Sequence, residues 1–172
     1  EKVAELKKIV FQERLGAVYD KAVRMGEIAA YLAGELGAGQ EAKEVALRAS
    51  ALAKADLVTN MVYEFPELQG YMGREYAVRS GEKQAVAEAI FEHYLPRFAG
   101  DRLPQTLPGK ILSIADKIDT IVGCFAIGIQ PTGSQDPYAL RRQALGISNI
   151  ILENRAPLSL EKLIETAYCC YQ

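Results

Sequence analysis

Gly109-Lys-Ile-Leu-Ser-Ile-Ala-Asp-Lys-Ile-Asp-Thr-Ile-Val-Gly-Cys-Phe-Ala-Ile-Gly-Ile129 decides the fold. Within it Ile111, Ile114, Ala115, Ile118, Ile121, Val122, Phe125 and Ile129 recur at three- and four-residue spacings. That period stacks side chains on one face of an α-helix, so the stretch reads as a core helix. Asp116 and Asp119 stand one turn apart on its polar side. Upstream, Pro96, Gly100, Pro104 and Pro108 make residues 95–108 the longest loop. Before that loop the pattern predicts a helix opened by Ser80-Gly-Glu82 and running to about Tyr94. A short helix or irregular segment is expected over Gly70–Arg79. Longer helices are expected from about Glu41 to Tyr63, ended by Phe65-Pro66, and from about Ala17 to Leu36, broken by Gly37-Ala-Gly39. Downstream, a capped helix is expected from Pro137 and a last one from about Leu160. Strand signals are nearly absent. The expectation is one all-α domain of about seven helices over residues 1–172.

The totals exclude several classes. With 172 residues, 49% hydrophobic and 24% charged, the chain can bury one core and is not compositionally disordered. A net charge of −2 gives no global attraction to nucleic acid, so any such contact is local. Residues 97–142 are mildly basic: Arg97, Arg102, Lys110, Lys117, Arg141 and Arg142 face Asp101, Asp116, Asp119 and Asp136. Three cysteines, two of them adjacent, make no disulfide framework and no zinc spacing, which suits a reducing cytoplasmic setting. No signal peptide and no membrane-length apolar run stand out. The chain opens on Glu1 without Met and stops inside the helical pattern of Leu160, Leu163, Ile164, Ala167 and Tyr168. A piece of a longer polypeptide is expected.

Gly128-Ile-Gln-Pro-Thr-Gly-Ser-Gln-Asp-Pro-Tyr-Ala-Leu-Arg-Arg-Gln-Ala-Leu145 combines a polar loop with a helix start. Asp136 is a favoured N-cap and Pro137 fits the first helical position. Amides at that helix start, the hydroxyls of Thr132 and Ser134, and the guanidinium groups of Arg141 and Arg142 suit a phosphate. Lys110 joins them as a candidate for positioning RNA through its backbone. The same run also reads as a well-capped turn that binds nothing.

His93, the one histidine, lies in register with Val86, Ala89 and Ile90 and is expected to face the core. Asp56 sits in the apolar Leu52-Ala-Lys-Ala-Asp-Leu-Val58, where a carboxylate must turn outward or find a partner from elsewhere. Asp116 and Asp119 could serve acid–base or metal chemistry, or form a solvated face.

Two resemblances follow. Ile111-Leu-Ser-Ile-Ala-Asp-Lys-Ile-Asp119 is similar to the late helix of HD-type phosphohydrolases, and Glu92-His-Tyr94 resembles their helix with an additional histidine. At the family's His-Asp doublet this chain has Lys54-Ala-Asp56, and no early histidine exists. A lysine ammonium cannot ligate a cation, so Asp56, His93 and Asp116 read as a degenerate site without metal. The second resemblance is longer. Ala55-Asp-Leu-Val-Thr-Asn-Met-Val-Tyr-Glu-Phe-Pro-Glu-Leu-Gln-Gly-Tyr-Met-Gly-Arg-Glu-Tyr-Ala77, Ala115–Asp119 and Gly128–Leu145 resemble the beta subunit of bacterial heterotetrameric glycyl-tRNA synthetase. That resemblance implies an HD-like domain from the middle of a long subunit, part of an aminoacyl-tRNA ligase that attaches glycine to tRNA(Gly). It also implies an alpha subunit that makes glycyl-adenylate with ATP and magnesium in an alpha2beta2 assembly. This domain would be noncatalytic, serving tRNA engagement or subunit architecture. The alternative is a metal-dependent phosphohydrolase built on Asp56, His93 and Asp116.

Overall fold

A computed structural model describes residues 2–172. The elements run α1 (Lys2–Glu5), β1 (Val10–Gln12), β2 (Gly16–Ala17), α2 (Val18–Glu35), α3 (Gln40–Leu52) and α4 (Asn60–Glu64). They continue with α5 (Tyr71–Arg79), α6 (Gln84–Glu92), α7 (Leu107–Ala126), α8 (Leu140–Glu153) and α9 (Leu160–Cys169). Among the described residues the fold is all-α apart from the antiparallel pair β1–β2. Seven helices of these residues have nine residues or more, and α1 and α4 are single turns.

α7 is the axis. α2, α3, α6, α8 and α9 all pack on it, and fourteen of its twenty residues are buried, so it has no broad solvated face. One core layer joins Ile28 and Leu32 of α2 to Ile111, Ile114 and Ile118 of α7, Ile147 and Ile150 of α8, and Leu163 of α9. A second layer joins Met25, Val45, Ala49, Ile90 and Leu112 across α2, α3, α6 and α7. The start of α7 is fixed by close approach. The Thr106 hydroxyl caps the Gly109 amide at 3.1 Å, while the Glu92 carboxylate accepts the amides of Gln105 (2.7 Å) and Thr106 (3.1 Å). A Cβ on Gly109 would lie 1.9 Å from Glu92 Oε2, so only glycine fits.

Several boundaries differ from the sequence expectation, each for a local reason. The helix expected over 41–63 divides after Leu52 into a 3-10 turn, Ala55–Val58, and α4. There the Asp56 carboxylate accepts the amides of Gly70 (2.8 Å) and Gly73 (3.1 Å), and Thr59 donates to the Asp56 carbonyl at 2.6 Å. Such side-chain bonds compete with helix continuation. Ser80-Gly-Glu82 ends α5 instead of opening α6: Gly81 has φ +84°, and the Glu82 amide returns to the Ala77 carbonyl at 3.0 Å. α8 starts at Leu140, not Pro137, because Asp136-Pro-Tyr-Ala139 closes a turn with Ala139 left-handed at φ 53°. Asp136 still caps, accepting the amides of Leu140 (2.8 Å) and Arg141 (3.0 Å). The hairpin of residues 10–17 is too short to show a two-residue period in the sequence.

A cation-lined cleft as the candidate functional site

The buried charges converge on the polar side of α7. Lys21 and Arg24 arrive from α2, Lys54 from the turn after α3, and His93, with half-buried Arg97 beside it, from the segment after α6. Asp119 is fully buried. Arg24 grips it through Nε to Oδ1 at 2.7 Å and Nη2 to Oδ2 at 3.3 Å, and Lys21 Nζ donates to Oδ2 at 3.1 Å. The Arg24 guanidinium lies 4.1 Å from the Tyr171 ring centroid, and the Tyr171 hydroxyl donates to the Asp119 carbonyl at 2.8 Å.

One turn earlier, Asp116 meets Lys21 Nζ at 3.1 Å and Lys54 Nζ at 3.0 Å. Burial pushes its carboxyl upward, but Lys21 and Lys54 outweigh that and hold it well below the usual range. Lys117 is buried without a carboxylate partner of its own. Its Nζ donates to Ser113 Oγ (2.8 Å) and the Leu95 carbonyl (3.0 Å), and burial lowers its pKa to about 8 although Asp116 opposes the shift. His93 is fully buried as expected, with Nδ1 on the Ile90 carbonyl, and burial followed by repulsion from Lys54 keeps it neutral. Burial raises the Asp56 carboxyl, against the two glycine amides and Lys54.

Lys21, Lys54, Asp116 and Lys117 border a cleft of about 420 Å³. Five cationic side chains line it, Lys21, Lys54, Arg97, Lys117 and Arg142, against the single carboxylate of Asp116. Phe11, Tyr94 and Tyr138 supply aromatic wall, with Lys54 Nζ 4.2 Å from the Tyr94 centroid and Lys21 Nζ 4.8 Å from that of Phe11. Two further carboxylates stand close by, Asp119 engaged through both oxygens by Arg24 and Lys21, and Asp56 engaged through Oδ2 by two backbone amides.

The Gly128–Leu145 run divides on this geometry. Tyr138, Arg142 and Gln143 form one wall of the cleft, whereas Thr132 and Ser134 lie on the exposed loop before it. Thr132 closes its own turn, its hydroxyl accepting the Gln135 amide at 3.1 Å and its carbonyl accepting the Arg141 guanidinium. Arg141 and Arg142 are exposed and form no ion pair with an acid of the described residues. Lys110 is not brought to them. It sits in the first turn of α7, sixteen residues and therefore about 24 Å of helix from the other end, and donates to Asn154 at 2.6 Å.

The acidic pair corrects the solvated-face expectation, since burial on all sides of α7 brings Asp116 and Asp119 among cations from α2 and the 53–58 turn. Asp56 points to the glycine amides, and among the described residues no three His, Cys, Asp or Glu side chains converge as a metal-ligand group. Sequence reasoning missed Lys21, Arg97 and Lys117 as members of a site. Lys21 left a signal: it lies three residues after Val18 and four before Met25, on the apolar face of its helix, where a lysine needs an internal anion.

The family model described as "Glycyl-tRNA synthetase beta subunit" matches residues 1–172. The chain belongs to this glycyl-tRNA synthetase beta subunit family. It is 65% identical over 170 residues to the "Glycine--tRNA ligase beta subunit" of Desulforamulus reducens, covering 99% of this chain and 24% of that protein. Proteins of the same name from Syntrophomonas wolfei (56% identity, 98% of this chain and 24% of that protein) and Clostridioides difficile (58%, 96% and 24%) are similar to it. The chain therefore spans about a quarter of the length of these beta subunit relatives. No helix of the described residues is long and apolar enough to cross a membrane.

Proposed function

We propose that residues 1–172 are one HD-like domain of a longer beta subunit of glycine–tRNA ligase, working in the cytoplasm in an alpha2beta2 assembly that attaches glycine to tRNA(Gly). In this reading the alpha subunit makes glycyl-adenylate with ATP and magnesium. The present domain carries no catalytic residue and serves tRNA engagement or the architecture of the subunit. The observation that carries the proposal is the family match across the whole chain, with relatives named as glycine–tRNA ligase beta subunits. The HD-like part is supported by Lys54, His93 and Asp116 lying together around α7.

For tRNA, the favoured surface is the exposed loop and helix start carrying Thr132, Ser134, Arg141 and Arg142, with Lys110 a separate contact at the far end of α7. Exposed arginines without acidic partners are available to phosphates, and an architectural role alone would leave them no such use. The phosphohydrolase alternative loses its donor set. Asp116 is held by two ammonium groups, Asp56 is committed to backbone amides, and His93 is sealed in the core.

The test is the double variant Arg141→Ala, Arg142→Ala in the assembled synthetase. We expect weaker tRNA binding at moderate salt and a slope of log affinity against log salt shallower by about one to two. Adenylate formation measured in parallel reports whether the assembly is intact. Unchanged tRNA affinity and salt slope would remove this surface from the tRNA interface.

A further inference from the structure

We propose that the cleft between α2, the 53–58 turn, the segment after α6, and the start of α8 binds the phosphate group of a nucleotide-sized phosphate ester, using cationic side chains and no metal. The proposal goes beyond tRNA contact at the exposed loop: it shares Arg142 with that surface but rests on Lys21, Lys54, Arg97 and Lys117 around a recessed volume.

Charge is the first argument. Lys21, Lys54, Arg97, Lys117 and Arg142 face one carboxylate across about 420 Å³. Counting Arg24, Asp56 and Asp119 one step further back, and Asp136 near Arg142, still leaves six cations to four carboxylates, with His93 neutral. Cations gathered beyond their partners repel one another, and an entering anion relieves that repulsion. An ordinary buried ion-pair network needs balance; this one is left positive on the side that opens.

Unmet donors are the second argument. Among the described residues Tyr94 Oη and Arg97 Nε are buried without a hydrogen-bond partner, and both residues line the cleft; the one nearby carboxylate oxygen with neither a hydrogen bond nor an ion pair is Asp56 Oδ1, one step behind it. Orphaned donors of this kind are uncommon in folded chains, and a phosphate oxygen is the acceptor that suits a phenol beside a guanidinium. Arg97 is otherwise anchored, with Nη2 donating to the Gln69 carbonyl at 2.6 Å and its guanidinium 5.0 Å from the Tyr71 ring centroid. The third argument is size: the volume lies within the range of small-molecule sites and exceeds what a single ion requires.

The experiment uses a beta subunit of full family length without the alpha subunit, so that the adenylate-forming site is absent. Inorganic phosphate, AMP, adenosine, and an RNA trinucleotide with and without a 5′-phosphate are titrated by calorimetry. Phosphate and AMP are expected to bind saturably at one site and to compete with each other, whereas adenosine is not. Arg142→Ala, an exposed residue whose loss leaves the core intact, is expected to weaken AMP about five- to tenfold. Lys117→Met is expected to weaken it at least as much. Competition by the 5′-phosphorylated trinucleotide assigns the ester to an RNA end, and its failure to compete while AMP binds assigns it to a free nucleotide. Absence of saturable phosphate and AMP binding, or equal affinity in wild type and both variants, overturns the proposal. Arg142 is common to both surfaces, so Lys117→Met, which spares the exposed loop, is the variant that tests the cleft apart from the Arg141, Arg142 double variant.

Discussion

Two aspartates one helical turn apart on α7 meet opposite fates. Asp119 is closed in: both oxygens are taken by Arg24 and Lys21, and Tyr171 covers the arginine and bonds the aspartate's own carbonyl. Asp116 is shared between Lys21 and Lys54 at the margin of a cleft that Lys117, Arg97 and Arg142 also border. The first arrangement matches charge to charge and excludes water, which suits a joint among α2, α7 and the segment after α9. The second leaves cations in excess on an open side, which suits a ligand. Residue type is the same and each aspartate meets two cations; what differs is the further cations, Lys117, Arg97 and Arg142, that neighbouring elements deliver around Asp116.

Removal of each carboxylate separates the two aspartates most strongly. Asp119→Ala leaves Arg24 buried without its partner and costs about 3–5 kcal/mol. Asp116→Ala is expected to cost less, about 2 kcal/mol, because Lys21 keeps Asp119 and Lys54 can draw water from the cleft. Urea unfolding followed by helix signal compares them directly. Equal losses would mean that Asp116 is as structural as Asp119, and the contrast between the two would fall.

The sequence carried this contrast only in part. The axis α7 was legible because eight apolar residues repeat with a helical period, and that repeat is a local property. The depth of His93 was legible for the same reason. Asp116 and Asp119 were misread as a polar face because periodicity ranks residues within one helix and says nothing of what packs against it. Their partners Lys21 and Arg24 are nearly a hundred positions away in the chain. The break after Leu52 depended on two glycine amides fourteen and seventeen residues beyond Asp56, again outside any local window. At Gly128–Leu145, the Asp136 carboxylate accepts first-turn amides as the sequence suggests, but from three residues before the N-cap, Ala139. The chain's delivery of Arg142 to the cleft and Arg141 to the loop became visible only once α8 was seen to begin at Leu140.

Titration of Lys117 sharpens the cleft side. Its ammonium is lowered from 10.5 to about 8, burial being the main cause, with Asp116 opposing and Lys54, Lys21 and Arg142 adding repulsion. Between those values the unfolded chain binds more protons than the folded one, so this group's contribution to stability rises with pH across that window. Below pH 8 its charged form is buried at a cost. From pH 7 to 9.5 the gain is about 2 kcal/mol. Buried tyrosines titrate in the opposite sense, so the quantity to measure is the stability difference between wild type and Lys117→Met at the two pH values. A difference that stays constant would show that Lys117 keeps an ordinary pKa and that the excess of charge in the cleft is not felt there.

The finest discrimination comes from a glycine on each side. Adding a Cβ at Gly123 of α7 places it 2.2 Å from Tyr171 Oη and 2.6 Å from Cζ, so the ring must move, giving up its bond to the Asp119 carbonyl and its contact with Arg24. The helix gains about 1 kcal/mol from alanine over glycine, yet the closed network loses more, and Gly123→Ala should be destabilising by about 1–2 kcal/mol. At Gly146 of α8 the new atom meets Lys117 Cε at 3.1 Å and Pro96 Cδ at 3.3 Å. The lysine stem can shift toward the cleft and the proline ring cannot, so the crowding roughly cancels the helix gain and Gly146→Ala should fall within about 0.5 kcal/mol of wild type. The two substitutions are chemically identical and both lie inside helices. If thermal unfolding ranks them the other way round, the tight joint is at the cleft rather than at Asp119, because only a side that cannot yield turns one methyl group into a loss.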